Sequence, residues 1–148
     1  MTTYIKNRKA RFDFEILDVI EAGLVLQGHE VKSIRAGKGK LEGSHVIVRG
    51  GEAFLVGSSV TAYQPANTPK SYDNERPRKL LLSKKQLVLL EQKTETERLT
   101  AIPIRLYNNG RSIKLEVGIA RGKKKHDKRE TLKARDTKRD IERTLKEQ

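Results

Sequence analysis

An alternation of apolar and polar side chains is the sequence feature that most constrains the fold of this chain. Residues 12–17 read FDFEIL and residues 113–119 read IKLEVGI. A two-residue period is that of a β-strand with one buried and one solvated face, whereas an amphipathic helix repeats every three to four residues. Both segments are therefore predicted to be β-strands.

Turn residues that tolerate positive φ separate two further pairs of apolar segments, as is typical of β-hairpins. They are Gly50-Gly51, between residues 46–48 and 53–56, and Asn108-Asn109-Gly110, between residues 102–106 and 112–119. Each pair is therefore predicted to be an antiparallel hairpin.

One helix is predicted to begin after Ser83, whose hydroxyl can accept from the amide of Gln86 while the Gln86 side chain reaches back in a capping box. This helix should run to about Arg98. A further strand is predicted at 23–26, and a short helical turn at 31–36.

Residues 64–79 are predicted to form a long exposed loop, because three prolines lie there among Asn, Ser and Asp. We expect this loop to become ordered only when a partner binds. It carries four cations: Lys70, Arg76, Arg78 and Lys79.

The predicted elements favour a mainly β fold. About six short antiparallel strands with one to three helices fit a small closed barrel better than an open sheet, because closure removes exposed strand edges. We assign this body to residues 1–120. Residues 121–148 form a separate basic tail with no aromatic residue and too few apolar residues to bury themselves.

Charge indicates a polyanionic partner. The chain has a formal net charge of +13, and the tail carries twelve Lys or Arg against six Asp or Glu. Such a field attracts nucleic acid and anionic membranes. Nucleic acid is favoured, because no apolar run approaches the roughly 18 residues of a membrane span and the first ten residues do not resemble a signal peptide. We expect a cytoplasmic protein.

Catalytic and metal-binding patterns are missing from the sequence. There is no cysteine, and His29, His45 and His126 lack the spacing of metal ligands. The glycine-rich stretch at 36–44 has Glu42 where a P-loop or dinucleotide fingerprint requires glycine. We therefore expect no metal, no cofactor and no enzymatic activity. Arg35, Lys38 and Lys40 in this region are candidate contacts to an RNA backbone.

The run from Arg121 to Arg129 has Lys or Arg at six of its nine residues. Neutralising phosphates there would make binding strongly dependent on salt, although a solvated charge run is the alternative. His126 adds a ring that can stack on a base. We expect the tail to be disordered when free and helical when bound, with Ile141 and Leu145 on one helix face.

Five strings stand out along the chain: NRKAR at 7–11, EAG at 21–23, GHEVKSIRAGK at 28–38, RKLLL at 78–82 and GIARGKKKHDKR at 118–129. In order and spacing they resemble the SmpB family of bacterial SsrA-binding proteins. The resemblance covers the chain from Asn7 onward.

The resemblance implies an OB-like barrel that binds the tRNA-like domain of transfer-messenger RNA and delivers it to stalled ribosomes for trans-translation. It implies that Glu21 and Leu81 matter for RNA binding, and that Asn7 and Arg8 belong to the same site. A carboxylate cannot bind phosphate, so Glu21 is expected to accept from a base edge or 2′-hydroxyl, or to orient an Arg.

The resemblance places the tail in the empty mRNA channel of the small ribosomal subunit. At the decoding end, His126 would stack, Asp127 would fix its neighbours, and the cations Lys123, Lys124, Lys128 and Arg129 would meet rRNA. Alanyl-tRNA synthetase and elongation factor Tu are expected as indirect partners, and the protein is expected to be a monomer. Two alternatives stay open: a generic single-strand RNA-binding module, and a ribosomal structural protein.

Overall fold

The structure, a computed structural model, describes residues 2–123. Its strands are β1 Thr3–Lys6, β2 Phe14–Leu24, β3 Gly39–Lys40, β4 His45–Arg49, β5 Glu52–Val56, β6 Ser59–Val60, β7 Arg78–Leu81, β8 Thr100–Asn109 and β9 Ser112–Gly122. Its α-helices are α1 Ala10–Asp13, α2 Gly28–Arg35 and α3 Lys84–Glu91, with a 3₁₀ turn at Pro65–Asn67 and a π-helical turn at Gln92–Thr96 after α3.

Six of the described strands pair in a closed antiparallel ring, in the order β8, β4, β5, β7, β2, β9 and back to β8. β1 adds to the outside edge of β8, while β3 and β6 form a separate two-stranded sheet. The predicted mainly β fold with a closed sheet and one to three helices is confirmed. A closed sheet leaves few strand edges unpaired, and this is the reason why the sequence analysis favours a closed sheet.

The two predicted hairpins are confirmed. In the β4–β5 hairpin Gly50 and Gly51 both have positive φ, 61° and 75°, as a type I′ turn requires of both central residues. In the β8–β9 hairpin Asn109 pairs with Ser112, so the turn consists of Gly110 and Arg111, one residue later than the Asn-Asn-Gly string suggested.

The main core fills the inside of the ring. β9 places Leu115, Val117 and Ile119 there, all at most 1% exposed, which confirms the alternation predicted for this strand. A second, smaller cluster lies on the outer face, where Ala10 of α1 packs against Ile102 and Ala120.

β-Bulges decide which cluster a residue joins. The register of β2 shifts between Ile16 and Asp18 against β9, so Ile16 packs on the outer cluster while Ala22 lies in the main core. The alternation at 12–17 was therefore only partly a strand signal. Phe12 belongs to α1, and the strand predicted separately at 23–26 is the end of the long β2.

Both longer helices begin at capping boxes. Ser83 Oγ accepts from the Gln86 N–H at 3.2 Å, and Gln86 Oε1 accepts from the Ser83 N–H at 3.1 Å, as predicted. The helix ends in the π-helical turn, before Arg98 at φ 54°. α2 is a full eight-residue helix rather than one turn, and the N–H of Gln27 donates to Glu30 Oε1 at 2.8 Å at its start.

The prediction of an exposed loop through residue 79 is wrong at its end. Arg78 lies in β7 with a side chain 1% exposed, and its Nη2 is 2.8 Å from Oε2 of the fully buried Glu30. Arg76 also pairs with Glu30. These cations are ordered by an acidic residue of α2, some 46 to 48 positions away in sequence, rather than by an external partner.

Candidate nucleic-acid interface

Two residues singled out from the sequence, Glu21 and Leu81, lie on one exposed face of the ring. Gly23 of β2 pairs with Leu81 of β7, and Glu21 precedes Gly23 by two positions, so Glu21 points to the same side. A Cβ placed on Gly23 would lie 3.1 Å from the Leu81 Cβ and 3.5 Å from Nζ of Lys114. The missing side chain of Gly23 therefore lets Leu81 and Lys114 approach each other. We call the surface of Glu21, Leu81 and Lys114 the Glu21 face.

Leu81 is the outward-pointing residue of the leucine triplet. It is 54% exposed, whereas Leu80 is 2% exposed and belongs to the main core. The strand alternation of β7 produces this difference, because neighbouring side chains point to opposite faces. Val19, 43% exposed, continues the same side of β2. The Glu21 face thus combines apolar surface with charge.

The Glu21 carboxylate is held by two side chains of β8. The Tyr107 hydroxyl donates to Oε2, and the Asn109 amide Nδ2 lies 3.2 Å from both carboxylate oxygens. The Tyr107 hydrogen bond lowers the pKa of Glu21 most; desolvation opposes it, and Asn109 and the charge of Lys114 lower it further. The group is therefore an ionised carboxylate that acts as an acceptor only.

Tyr107 is in turn fixed from behind. Its ring is 3% exposed, and the Arg105 guanidinium carbon lies 4.2 Å from the ring centroid. Arg105 donates to Glu116 at 3.0 Å and to the Thr3 hydroxyl at 2.7 Å. Desolvation, followed by the contact with Glu21, raises the pKa of the Tyr107 hydroxyl, so it stays protonated and keeps donating.

A second charged surface lies between β1 and the glycine-rich loop after α2. Here a cavity of about 670 Å³ is lined by backbone at Gly37 and Gly39 and by four cationic side chains, Lys6, Arg8, Lys9 and Lys40. Glu42 also lines it, so the charge of the lining is positive in sum but includes one carboxylate. We call this cavity the basic groove. It contains Arg8, one of the residues singled out from the sequence.

Asn7, the neighbour of Arg8, has a structural contact. Its Nδ2 donates to the carbonyl of Pro103 at 2.9 Å, and its backbone N–H donates to that of Ile104 at 2.8 Å. These bonds fasten the end of β1 to β8 and so position Arg8 at the groove. The Asn7 Oδ1 is buried with no hydrogen-bond partner among the described residues.

Arg35 and Lys38 lie close together in sequence, at the end of α2 and just beyond it. Arg35, at the end of α2, donates to the carbonyl of Arg111 at 3.2 Å, which joins α2 to the β8–β9 turn. Lys38 Nζ lies 5.5 Å from the ring centroid of Tyr63, within cation–π range. Both side chains are exposed, and neither contacts Glu21 or Leu81 in a described interaction.

Lys123 is the last described residue, and its backbone N–H donates to the carbonyl of Asp13 at 2.9 Å. The other tail residues singled out from the sequence lie outside the described residues: Lys124, His126, Asp127, Lys128, Arg129, Ile141 and Leu145.

Within residues 2–123, no group of three or more His, Asp or Glu side chains could hold a metal ion. No helix in the same range is long and apolar enough to cross a bilayer.

The structure adds Tyr107, Asn109 and Lys114 to the residues that the sequence suggested. No sequence signal identifies them. Tyr107 and Glu21 are 86 positions apart, and only the pairing of β2 and β8 with β9 brings them together.

Comparisons with known proteins agree with one another. A family model described as SmpB protein matches residues 4–147. An SsrA-binding protein of Chelativorans sp. (strain BNC1) is 51% identical over 148 residues, covering 99% of this chain and 95% of the relative. One from Chlorobaculum tepidum is 46% identical over 146 residues, covering 98% and 92%.

A solved structure described as "tmRNA-SmpB: a journey to the center of the bacterial ribosome" has the same fold. Its chain is 40% identical in sequence and matches with a TM-score of 0.68, covering 86% of this chain and 93% of the solved one.

Proposed function

This chain belongs to the SmpB family, and from that premise we propose that it binds transfer-messenger RNA through its tRNA-like domain. In this role it is an adaptor that delivers the RNA to stalled ribosomes for trans-translation. The observation that carries the proposal is the match to the family and to SsrA-binding proteins over nearly the whole of both chains.

The Glu21 face supplies the sequence-reading part of this interface. Leu81 and Val19 offer apolar surface for a ribose or base, and Glu21 accepts from base N–H groups or 2′-hydroxyls. Lys114 lies beside Glu21 and can meet a phosphate of the same nucleotide stretch. Glu21 lies among these apolar and cationic groups and makes binding selective. Its negative charge repels any RNA that would place a phosphate beside it.

The basic groove supplies electrostatic affinity. Among the described residues, the side chains of Lys6, Arg8, Lys9 and Lys40 have no ion pair or hydrogen bond with another residue. They are therefore available to RNA phosphates. The exposed side chains of Arg35 and Lys38 add two further cations at the end of α2 and just beyond it, and we assign them to the same contact with the RNA backbone.

The tail is assigned to the ribosome. We take residues 1–120 as the RNA-binding body and residues 121–148 as a basic segment that enters the empty mRNA channel near the decoding centre. In this role His126 stacks on a base, Asp127 orients its neighbours, and Lys128 and Arg129 meet rRNA phosphates, while Ile141 and Leu145 anchor the distal part. Entry of the tail then reports that the channel holds no mRNA, because the tail and an mRNA cannot occupy the channel together.

The remaining parts of the proposal follow from the adaptor role. The protein acts in the cytoplasm as a monomer and without catalysis, metal or cofactor. Alanyl-tRNA synthetase and elongation factor Tu act on the same RNA and are indirect partners.

The deciding experiment is a titration of the full chain against the tRNA-like domain of transfer-messenger RNA, at one fixed salt concentration. Ordinary tRNA and random single strands serve as competitors. A preference of at least about 100-fold for the tRNA-like domain supports the adaptor, because nonspecific basic binding depends on charge and not on the RNA's shape. Equal affinity for all three RNAs contradicts it and leaves a generic basic RNA-binding module.

A pair of variants tests the location of the interface. Leu81→Ala should weaken binding about tenfold, since it removes an exposed apolar side chain worth about 1.5 kcal/mol when a ligand buries it. Val88→Ala is the matched control, because Val88 of α3 is 64% exposed but lies outside the Glu21 face. Equal effects of both substitutions would contradict this placement of the RNA.

A further inference from the structure

The contact between Tyr107 and Glu21 joins a buried ring to an exposed carboxylate. Tyr107 is 3% exposed, while Glu21 is exposed and free to meet a ligand. The hydroxyl therefore reaches from a buried ring to the base of an exposed carboxylate. Asn109 is exposed, and its Nδ2 lies 3.2 Å from both oxygens of the same carboxylate.

Tyr107 is supported by a neighbour on its own strand, β8, and through that neighbour by two other strands. Arg105 stacks on the ring at 4.2 Å, and it is itself held by Glu116 of β9 at 3.0 Å and by Thr3 of β1 at 2.7 Å. A ring enclosed in this way keeps its hydroxyl at one position. The carboxylate that binds this hydroxyl consequently has one preferred orientation as well.

An unsupported Glu at this position would behave differently. A glutamate side chain has three rotatable bonds, and Lys114 lies close enough to lower the pKa of Glu21 by its charge. Without Tyr107 and Asn109 the carboxylate would rotate freely or turn toward Lys114, and RNA binding would have to fix it again at a cost in entropy.

The held carboxylate also keeps free acceptor positions. Two carboxylate oxygens offer about four lone-pair positions, and the contacts from Tyr107 and Asn109 occupy at most three of them. The remaining position faces solvent and can take only a hydrogen-bond donor. A base-edge N–H or a 2′-hydroxyl satisfies that requirement, and a phosphate does not.

We propose that Tyr107, assisted by Asn109, is a positioning residue that fixes the Glu21 carboxylate as an acceptor for donor groups of the bound RNA. This inference rests on the proposed function, and it names the residues that orient the Glu21 carboxylate before RNA binds. The low pKa of Glu21 supports it, because the hydrogen bond from Tyr107 is the largest cause of that shift.

The test uses Tyr107→Phe, which removes the hydroxyl and keeps the ring. Tyr63→Phe is the matched control, because the Tyr63 hydroxyl has no hydrogen bond within residues 2–123. Affinity of the full chain for the tRNA-like domain should fall about fivefold to tenfold in Tyr107→Phe and stay unchanged in the control. The slope of affinity against salt should not change, since no phosphate contact is lost.

A double-mutant cycle separates positioning from general stability. In a Glu21→Gln background, Tyr107→Phe should have less than about a twofold further effect, because the carboxylate that Tyr107 positions is already gone. An equal loss of affinity in both backgrounds would overturn the proposal, as it would show that the hydroxyl acts through the fold.

The carboxyl carbon of Glu21, followed by NMR as pH changes, gives a readout without RNA. Its pKa should rise in Tyr107→Phe and, to a smaller extent, in Asn109→Ala, and stay in place in Tyr63→Phe. An unchanged pKa in Tyr107→Phe would overturn the positioning role. If the wild-type chain shows no preference for the tRNA-like domain, the proposed function fails, and the NMR titration still decides whether Tyr107 holds Glu21.

Discussion

Glu30 is a fully buried carboxylate that depends on cations from a distant strand. Arg78 donates to it through Nε at 3.1 Å and Nη2 at 2.8 Å, and Arg76 and the Tyr72 hydroxyl also donate to it. Arg78 also donates to the carbonyl of Asn74 at 3.0 Å. A buried charge costs much free energy unless it is paired and hydrogen-bonded in this way. These contacts fasten α2 to the start of β7, the strand that carries Leu81.

Arg78→Met should lower the free energy of unfolding by about 3 to 5 kcal/mol, because it leaves the buried Glu30 with part of its compensating charge removed. Lys79→Met is the matched control. Lys79 pairs with Glu52 at 2.9 Å, but both side chains are more than 40% exposed, and such pairs contribute about 0 to 1 kcal/mol. Urea unfolding measures the change in the free energy of unfolding for both variants. Similar losses in the two variants would contradict the role of burial.

The same residue predicts how stability depends on pH. Burial would raise the pKa of Glu30, but hydrogen bonds from Arg76, the Gln27 backbone and Arg78 outweigh it and lower the pKa from 4.5 to about 2. The unfolded chain therefore binds this proton first as pH falls. The stabilisation from Glu30 is present above pH 4.5 and is lost as pH falls toward 2.

Urea unfolding between pH 6 and pH 2 checks this expectation by comparison of the wild type with Glu30→Gln. The difference in unfolding free energy between the two should shrink as pH falls, because protonation makes the wild-type side chain neutral as well. A difference that stays constant over this range would show that Glu30 does not titrate as inferred.

At the scale of elements, caps and bulges place the functional side chains. The bulge of β2 between Ile16 and Asp18 shifts the phase of the strand, so that Val19 and Glu21 point outward while Ala22 joins the core. The bulge of β8 between Pro103 and Arg105 has the same effect, with Ile102 in the outer cluster and Leu106 in the main core. Each bulge changes the face on which all later side chains of its strand lie.

The cap of α3 gives a prediction at this scale. Ser83→Ala should lower the unfolding free energy by about 1 kcal/mol, since it removes the acceptor for the Gln86 N–H at the helix start. Lys85→Ala is the control, because Lys85 is an exposed residue of the first turn with no capping contact. Thermal or urea unfolding of both variants measures the difference, and equal stability would show that the cap contributes nothing.

At the scale of the whole molecule, the closed ring ends close to where the basic segment begins. β9 closes the ring between β2 and β8, and the N–H of Lys123 bonds to the carbonyl of Asp13, the last residue of α1. Within residues 2–123, this is the last backbone contact of the body along the chain. On the proposed function, the body binds transfer-messenger RNA and the segment after Lys123 meets ribosomal RNA.

A chain that ends at Lys123 should accordingly keep the affinity of the full chain for the tRNA-like domain within about threefold, because both the Glu21 face and the basic groove remain. It should lose peptide tagging on ribosomes stalled without a stop codon. Binding titration and a reconstituted tagging assay measure the two properties. Tagging retained by the short chain would contradict the assignment of the tail to the mRNA channel.

The sequence by itself determined the local parts of this protein. The alternation at 113–119, the Gly50-Gly51 turn and the capping box of Ser83 are patterns within a few residues of one another, and each fixes its element without help from the rest of the chain. Membership of the family was also visible as strings in the sequence, and the same strings suggested Glu21 and Leu81 as candidate RNA-binding residues. The spatial relation of these two residues was not visible there.

Only the tertiary structure decided which charged residues are buried and which residues meet. The sequence suggested an exposed cation at Arg78, because its partner Glu30 lies 48 positions away and no local pattern connects them. Tyr107 and Glu21 were likewise unconnected until strand pairing brought them together. The physical reason is that hydrogen bonding and desolvation depend on distance in space, whereas periodicity and capping depend on distance along the chain.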